Sequence, residues 1–166
     1  MYVRISDFVS AWRNAQSNTI KIFSNITEDK KTIKVHEDVR SLERLAWHIT
    51  QSITEMGARA GLFEEDFLEH TPIPPTFTDI IEIYEKYNAL LSKAVHSKWT
   101  DSTLEDEVNM YGENWKKGKV LDVLIAHEAH HRSQMTVIMR LLSLPVPGIC
   151  GPSKEEWAAM GLPAAE

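Results

Sequence analysis

Residues able to bind a metal cluster in one stretch of the chain. Residues 124–134 read LIAHEAHHRSQ, with His127, Glu128, His130 and His131 inside five positions. In a helix, side chains at i and i+4 share a face, so His127 stacks with His131. Two imidazoles one turn apart on a rigid element are a ready pair of ligands for a divalent transition metal. The same residues also fit H-E-x-x-H, the zinc-protease helix in which the glutamate is the general base. No histidine follows His131, so a protease would need Glu155 or Glu156, beyond Pro145 and Pro147, as its third ligand. Glu128 and His131 form one E-x-x-H, but the second copy that a di-iron carboxylate bundle requires is absent.

The elements that must position these residues are amphipathic helices. Phe8, Val9, Trp12, Ala15, Ile20 and Phe23 recur at helical spacing and predict a first helix over 2–23, with Ser6 as its N-cap. Residues 24–38 read as a loop with a possible short strand at 32–35. Leu42, Leu45, Ile49, Ile53, Met56 and Ala60 mark a second helix over 39–60, stopped near Gly61. The segment TPIPP at 71–75 breaks the chain, and a third helix follows Thr78 over 79–95. Residues 99–118 read as a loop with some short structure, folded over one end of the helices. The fourth helix covers 119–144 and ends at Pro145. Ser153 and Glu156 have capping-box spacing and start a short last helix over 154–160, closed by Gly161. Four long helices and no strong strand series predict an all-α chain, a four-helix bundle in a single domain over 1–166. The long connections after helices one and three leave its crossover topology open.

At ~100° per residue, His127 and His131 fall about 20° either side of the apolar centre of helix four, and His130 about 80° away. The i, i+4 pair therefore faces inward, where each nitrogen needs a partner. His48, on the edge of the apolar stripe of helix two, is the natural third ligand, because metal sites in bundles form between facing helices. Three imidazoles with an open position are the pattern of a catalytic site. His36, His70 and His96 read as surface residues. Glu128, also about 80° from the apolar centre, is the one candidate catalytic group. It can orient a histidine, act as a base, or be a solvated helix residue. Gln51 reads as a surface glutamine or a border of the site. Arg132 points outward, in an ion pair or subunit contact. Tyr111 and Trp115 read as core residues, with a pocket rim as the other option.

Composition narrows the function classes. The chain has 166 residues, 43% of them apolar and 25% charged, the balance of a globular domain. Its net charge of −6 makes nucleic acid a poor partner. A single cysteine, Cys150, excludes an internal disulfide framework and a multi-cysteine zinc site. Neither a secretory signal nor a membrane-spanning stretch is evident, so a cytoplasmic location is expected.

The arrangement resembles the DinB/YfiT-like superfamily. The resemblance rests on His48 in helix two, on His127-Glu128-Ala129-His130-His131-Arg132-Ser133-Gln134, and on Cys150-Gly151-Pro152-Ser153 leading to Glu156-Trp157. Ser133 stands where the family usually has glycine. The resemblance implies a four-helix bundle of the DinB/YfiT-like type with a short C-terminal helix, frequently a homodimer, holding a divalent metal through His48, His127 and His131. Relatives include thiol-dependent S-transferases, so it also implies a small-molecule thiol and an electrophilic substrate as partners. Such a metal activates a bound thiol as thiolate. The alternatives are a non-catalytic, metal-stabilised stress-response or interaction bundle and, less favoured, a metal-dependent hydrolase. Three imidazoles suit Zn, Ni, Cu and Fe alike, so the metal is not identified.

Overall fold

The four expected helices form, with ends set by local capping. The computed structural model describes residues 1–163; the last three residues of the expected 1–166 domain lie outside the described residues. Helix α1 spans Ile5–Phe23 and α2 spans Leu42–Arg59. Arg4, not Ser6, is the N-cap of α1, and the Ile5 amide is bound by the Asp101 carboxylate at 2.8 Å. Ser41 caps α2 by accepting from the Arg44 amide, so that helix begins three residues later than its apolar pattern suggests. Gly61, at φ 75°, takes the left-handed conformation just past the end of α2. Helix α3 spans Phe77–Lys98 and starts early because Thr76 and Asp79 form a capping box. Helix α4 spans Lys117–Leu141, and α5 spans Lys154–Ala159. Glu156 accepts the Ser153 amide at 3.1 Å and the Gly148 amide at 2.8 Å, which fixes the start of α5.

Residues 32–35 are irregular and form no strand. The segment before α4 does contain strands. Strand β1 (Glu107–Met110) pairs antiparallel with β2 (Glu113–Lys116), with Val108 opposite Trp115 and Met110 opposite Glu113. Tyr111 and Gly112 make the two-residue turn, with φ of 56° and 86°. Positive φ at both positions matches the twist of the flanking strands. Only Met110 of this hairpin is fully buried. The stretch therefore lacks the alternating apolar pattern that would announce strands.

Helix α1 packs on α3 and α4, and α2 packs on α3 and α4. Around the bundle the order is therefore α1, α3, α2, α4, with α1 diagonal to α2 and α3 diagonal to α4. The connections after α1 and α3 are the two diagonal crossings, whereas the similarly long one after α2 joins neighbouring helices. The second carries the hairpin, whose strands lie against α2 and α4. Phe8, Trp12, Phe23, Trp47, Ile53, Ile80, Tyr84 and Leu91 fill the centre. At Gly118 the N-terminal segment approaches so closely that a Cβ would stand 2.1 Å from the Tyr2 carbonyl oxygen. The Tyr2 amide donates to the Gly118 carbonyl at 3.2 Å. Among the described residues, no helix is long and apolar enough to cross a membrane.

Candidate metal centre

The packing of α2 against α4 brings together one histidine from α2 and two from α4. The ring centroids of His48 and His127 are 5.0 Å apart, those of His48 and His131 4.6 Å, and those of His127 and His131 4.4 Å. One ring nitrogen from each lies within 4.8 Å of the others, so the three can hold a metal ion. The Nε2 atoms of His127 and His131 are 3.1 Å apart. Ligands about 2.0–2.1 Å from a tetrahedral metal stand about 3.3 Å from each other, so this spacing fits a shared ion.

Tautomers follow from the surroundings. The Nδ1 of His131 lies 2.7 Å from the amide oxygen of Gln134, which leaves Nε2 as its lone-pair nitrogen. The amide nitrogen of Gln134 in turn donates to Nε2 of His130 at 3.1 Å. Gln134 thus locks the His131 ring with its lone pair aimed at the site, as an outer-shell partner does. Gln134 is one turn past His131 and closes the His127–Gln134 motif, so its i+3 spacing from His131 is legible in the sequence.

The site favours neutral imidazoles. Burial, followed by the proximity of the other two rings, lowers the His48 pKa to about 4. Burial likewise brings His127 down to about 4, with repulsion from His131 next. His131 is also lowered, chiefly by burial, against the hydrogen bond it donates to Gln134. Neutral rings are the metal-binding form. Arg40 adds positive charge near all three.

The histidines are not at the centre of the buried face of α4. That centre runs through Leu121, Leu124, Glu128, Arg132, Met135 and Met139. By rotation, Glu128 lies about 10° from it, His131 about 50° and His127 about 90°. Apolar Leu141, 65% exposed, and Val137, 59% exposed, belong to the outer side and draw a hydrophobicity-based centre toward the histidines. His48 and His127 are half-buried and His131 is buried at the rim. His36, His70, His96 and His130 are exposed.

Glu128 therefore has a different place from those expected of it. It is 2% exposed and turned toward α1 and α3. Its Oε1 accepts from Thr19 at 2.9 Å and, through a short hydrogen bond, from Tyr84. Arg132 lies 3.5 Å from Oε2 and donates to the Thr19 hydroxyl at 3.0 Å. Asn88 donates to the Tyr84 hydroxyl at 3.3 Å. Burial raises the Glu128 pKa and opposes these donors. Among the described residues Glu128 makes no hydrogen bond to a histidine, and it is not solvated. Arg132, expected outside, is buried as its partner. The signals for this network were Thr19 and Arg132, polar residues at core spacing, which an apolar count passes over.

The protease third ligands are also engaged elsewhere. Glu155 pairs with Arg140, and Glu156 holds the start of α5. Gln51 donates to the Leu68 carbonyl at 2.9 Å and ties the 61–76 connection to α2. Tyr111 is 51% exposed at the hairpin turn and donates to Glu55 at 3.2 Å, so it is not a core residue. Trp115 is half-buried beside it. Glu55 is a carboxylate close enough to His127 to bias its titration, and sequence spacing had not suggested it.

The chain and its fold have counterparts in known proteins. Residues 1–165 match the DinB family profile. The uncharacterised protein YrdA of Bacillus subtilis (strain 168) is 34% identical over 164 residues, covering 99% of this chain and 98% of its own length. A DinB-like crystal structure from Bacillus cereus ATCC 10987 superposes with a TM-score of 0.80 at 31% identity, covering 90% of this chain and 99% of that one. A second DinB-like structure, YjoA of Bacillus subtilis, superposes with a TM-score of 0.68 at 20% identity, over 84% of this chain and 96% of its own. With a bundle of this topology, three converging histidines and a match along nearly its whole length, the chain belongs to the DinB family.

Proposed function

We propose that the protein is a divalent-metal-dependent S-transferase that activates a low-molecular-weight thiol. The observation that carries this reading is that three neutral imidazoles converge beside a cavity of about 580 Å³, with His131 in its wall. His48, His127 and His131 would hold the metal, which would supply the positive charge that stabilises a thiol as thiolate. The sulfur then attacks an electrophilic carbon: the C–S bond forms, the bond from carbon to the leaving group breaks, and the leaving group takes its electron pair. The thiol proton passes to solvent. Neutral ligands leave the positive charge of the ion largely uncompensated, which favours thiolate at neutral pH. Gln134 holds the His131 ring in the tautomer that coordinates, and burial among α2, α4 and the 24–41 connection limits competing water.

A purely structural metal fits less well. The four helices already bury a large apolar core away from the histidines, so the bundle does not need an ion to close. The proposal also includes a homodimer working in a reducing compartment. Its test is turnover by protein loaded with Zn, Ni or Fe, using a panel of thiols against alkyl halides, whose halide is the leaving group. Metal-dependent loss of free thiol and formation of a thioether are expected. No turnover with any thiol–metal combination would remove the catalytic reading and leave a metal-binding bundle.

A further inference from the structure

The cavity beside His131 lies between the 24–41 connection, α2 and α4. Val39, Leu45, Val137 and Leu141 give it apolar walls, and Arg40 and Asp38 stand at its polar side. Val137 and Leu141 remain 59% and 65% exposed, apolar surface next to the metal centre that the rest of the fold leaves uncovered. Among the described residues, Arg40 has no carboxylate in ion-pair range, whereas Asp38 turns outward beside His36 at 3.7 Å with its side chain 87% exposed. A volume of about 580 Å³ suits a small organic molecule. The pocket therefore offers an apolar slot, one available cation and a neighbouring metal centre.

We propose that this cavity binds the electrophilic co-substrate and selects a small organic anion: an apolar chain along Val39, Leu45, Val137 and Leu141, with its carboxylate or similar group on Arg40. The reacting carbon lies at the His131 end. This rests on the S-transferase reading for the identity of the occupant as a substrate, but not for binding itself. Arg40 is a binding residue here and takes no part in bond making. It neutralises the anion at a point close enough to the three histidines to add positive charge there.

Binding of octanoate and of 1-octanol to zinc-loaded protein, measured by calorimetry without thiol, tests the proposal. Octanoate is expected to bind at one site, more tightly than 1-octanol. A charge-assisted hydrogen bond contributes about 1.5–3 kcal/mol, so Arg40→Gln should weaken octanoate about tenfold or more and leave 1-octanol unchanged. Asp38→Asn should tighten octanoate, and Leu141→Glu should weaken both probes. Octanoate binding should persist in the metal-free protein; its loss there, with Arg40→Gln silent, would mean that the carboxylate ligates the metal and would overturn the proposal. So would absence of octanoate binding. A dimer that Leu141→Glu dissociates while octanoate neither binds nor competes would assign the apolar surface to a second copy instead. Octanoate binding that needs Arg40, with no thiol turnover, would uphold the pocket and fail the transferase reading alone.

Discussion

His127 and Glu128 are consecutive residues that serve different faces of α4. The His127 ring meets His48 and His131 at the rim, whereas the Glu128 carboxylate is 2% exposed and bound by Thr19 and Tyr84 in the core. A 100° step between neighbours on a helix separates the three-histidine cluster from the buried polar network. The H-E-x-x-H pattern is present in the sequence, but its glutamate turns into the core and binds Thr19 and Tyr84 instead of joining the histidines.

His127→Ala, His48→Ala and His131→Ala are each expected to lose stoichiometric metal binding, because two imidazoles remain from a set of three. Elemental analysis of purified variants decides this. A full equivalent of bound metal in His127→Ala would exclude that ring as a ligand.

Gln134→Leu removes the acceptor that fixes the His131 tautomer. Loss of such a partner lowers metal affinity about 10–100-fold. Competition with a chromophoric chelator measures the change, and unaltered circular dichroism would show that the bundle is intact. Affinity equal to wild type would show that the ring is oriented by packing alone.

Glu128→Ala leaves Arg132 buried without its carboxylate and Tyr84 and Thr19 without their acceptor. Breaking a buried pair in this way costs about 3–5 kcal/mol. Denaturant unfolding should show that loss, while metal stoichiometry remains unchanged. A stable variant with weakened metal binding would reverse the assignment and return Glu128 to the metal centre.

The metal-free protein should lose stability as pH falls from about 6.5 to about 4. His48 and His127 are held near 4 in the fold against an ordinary value of 6.5, so the unfolded chain takes up protons that the folded chain refuses. Their contribution is complete above 6.5 and declines through that window. Bound metal competes with protons for the same lone pairs and should displace the decline to lower pH. A melting temperature flat between pH 7 and 4.5 without metal would contradict the neutral, crowded rings.

The sequence by itself determined which residues can ligate and which segments are helices. The i, i+4 spacing of His127 and His131 and the apolar recurrence of each helix are local properties, set by 3.6 residues per turn. Capping pairs such as Ser153 and Glu156 are equally local. Tertiary structure decided what periodicity cannot carry. Which edge of α4 meets α2 depends on long-range packing, and that packing turned Glu128 and Arg132 inward as a buried ion pair linked through Thr19, while leaving Val137 and Leu141 outside. Diagonal placement of α1 and α2 also comes from the way whole faces pair, and it puts Arg40, at the end of the first crossing, beside the histidines. An apolar count sees hydrophobicity but not partnership, so it misses buried charges that neutralise each other and exposed apolar residues that border a pocket.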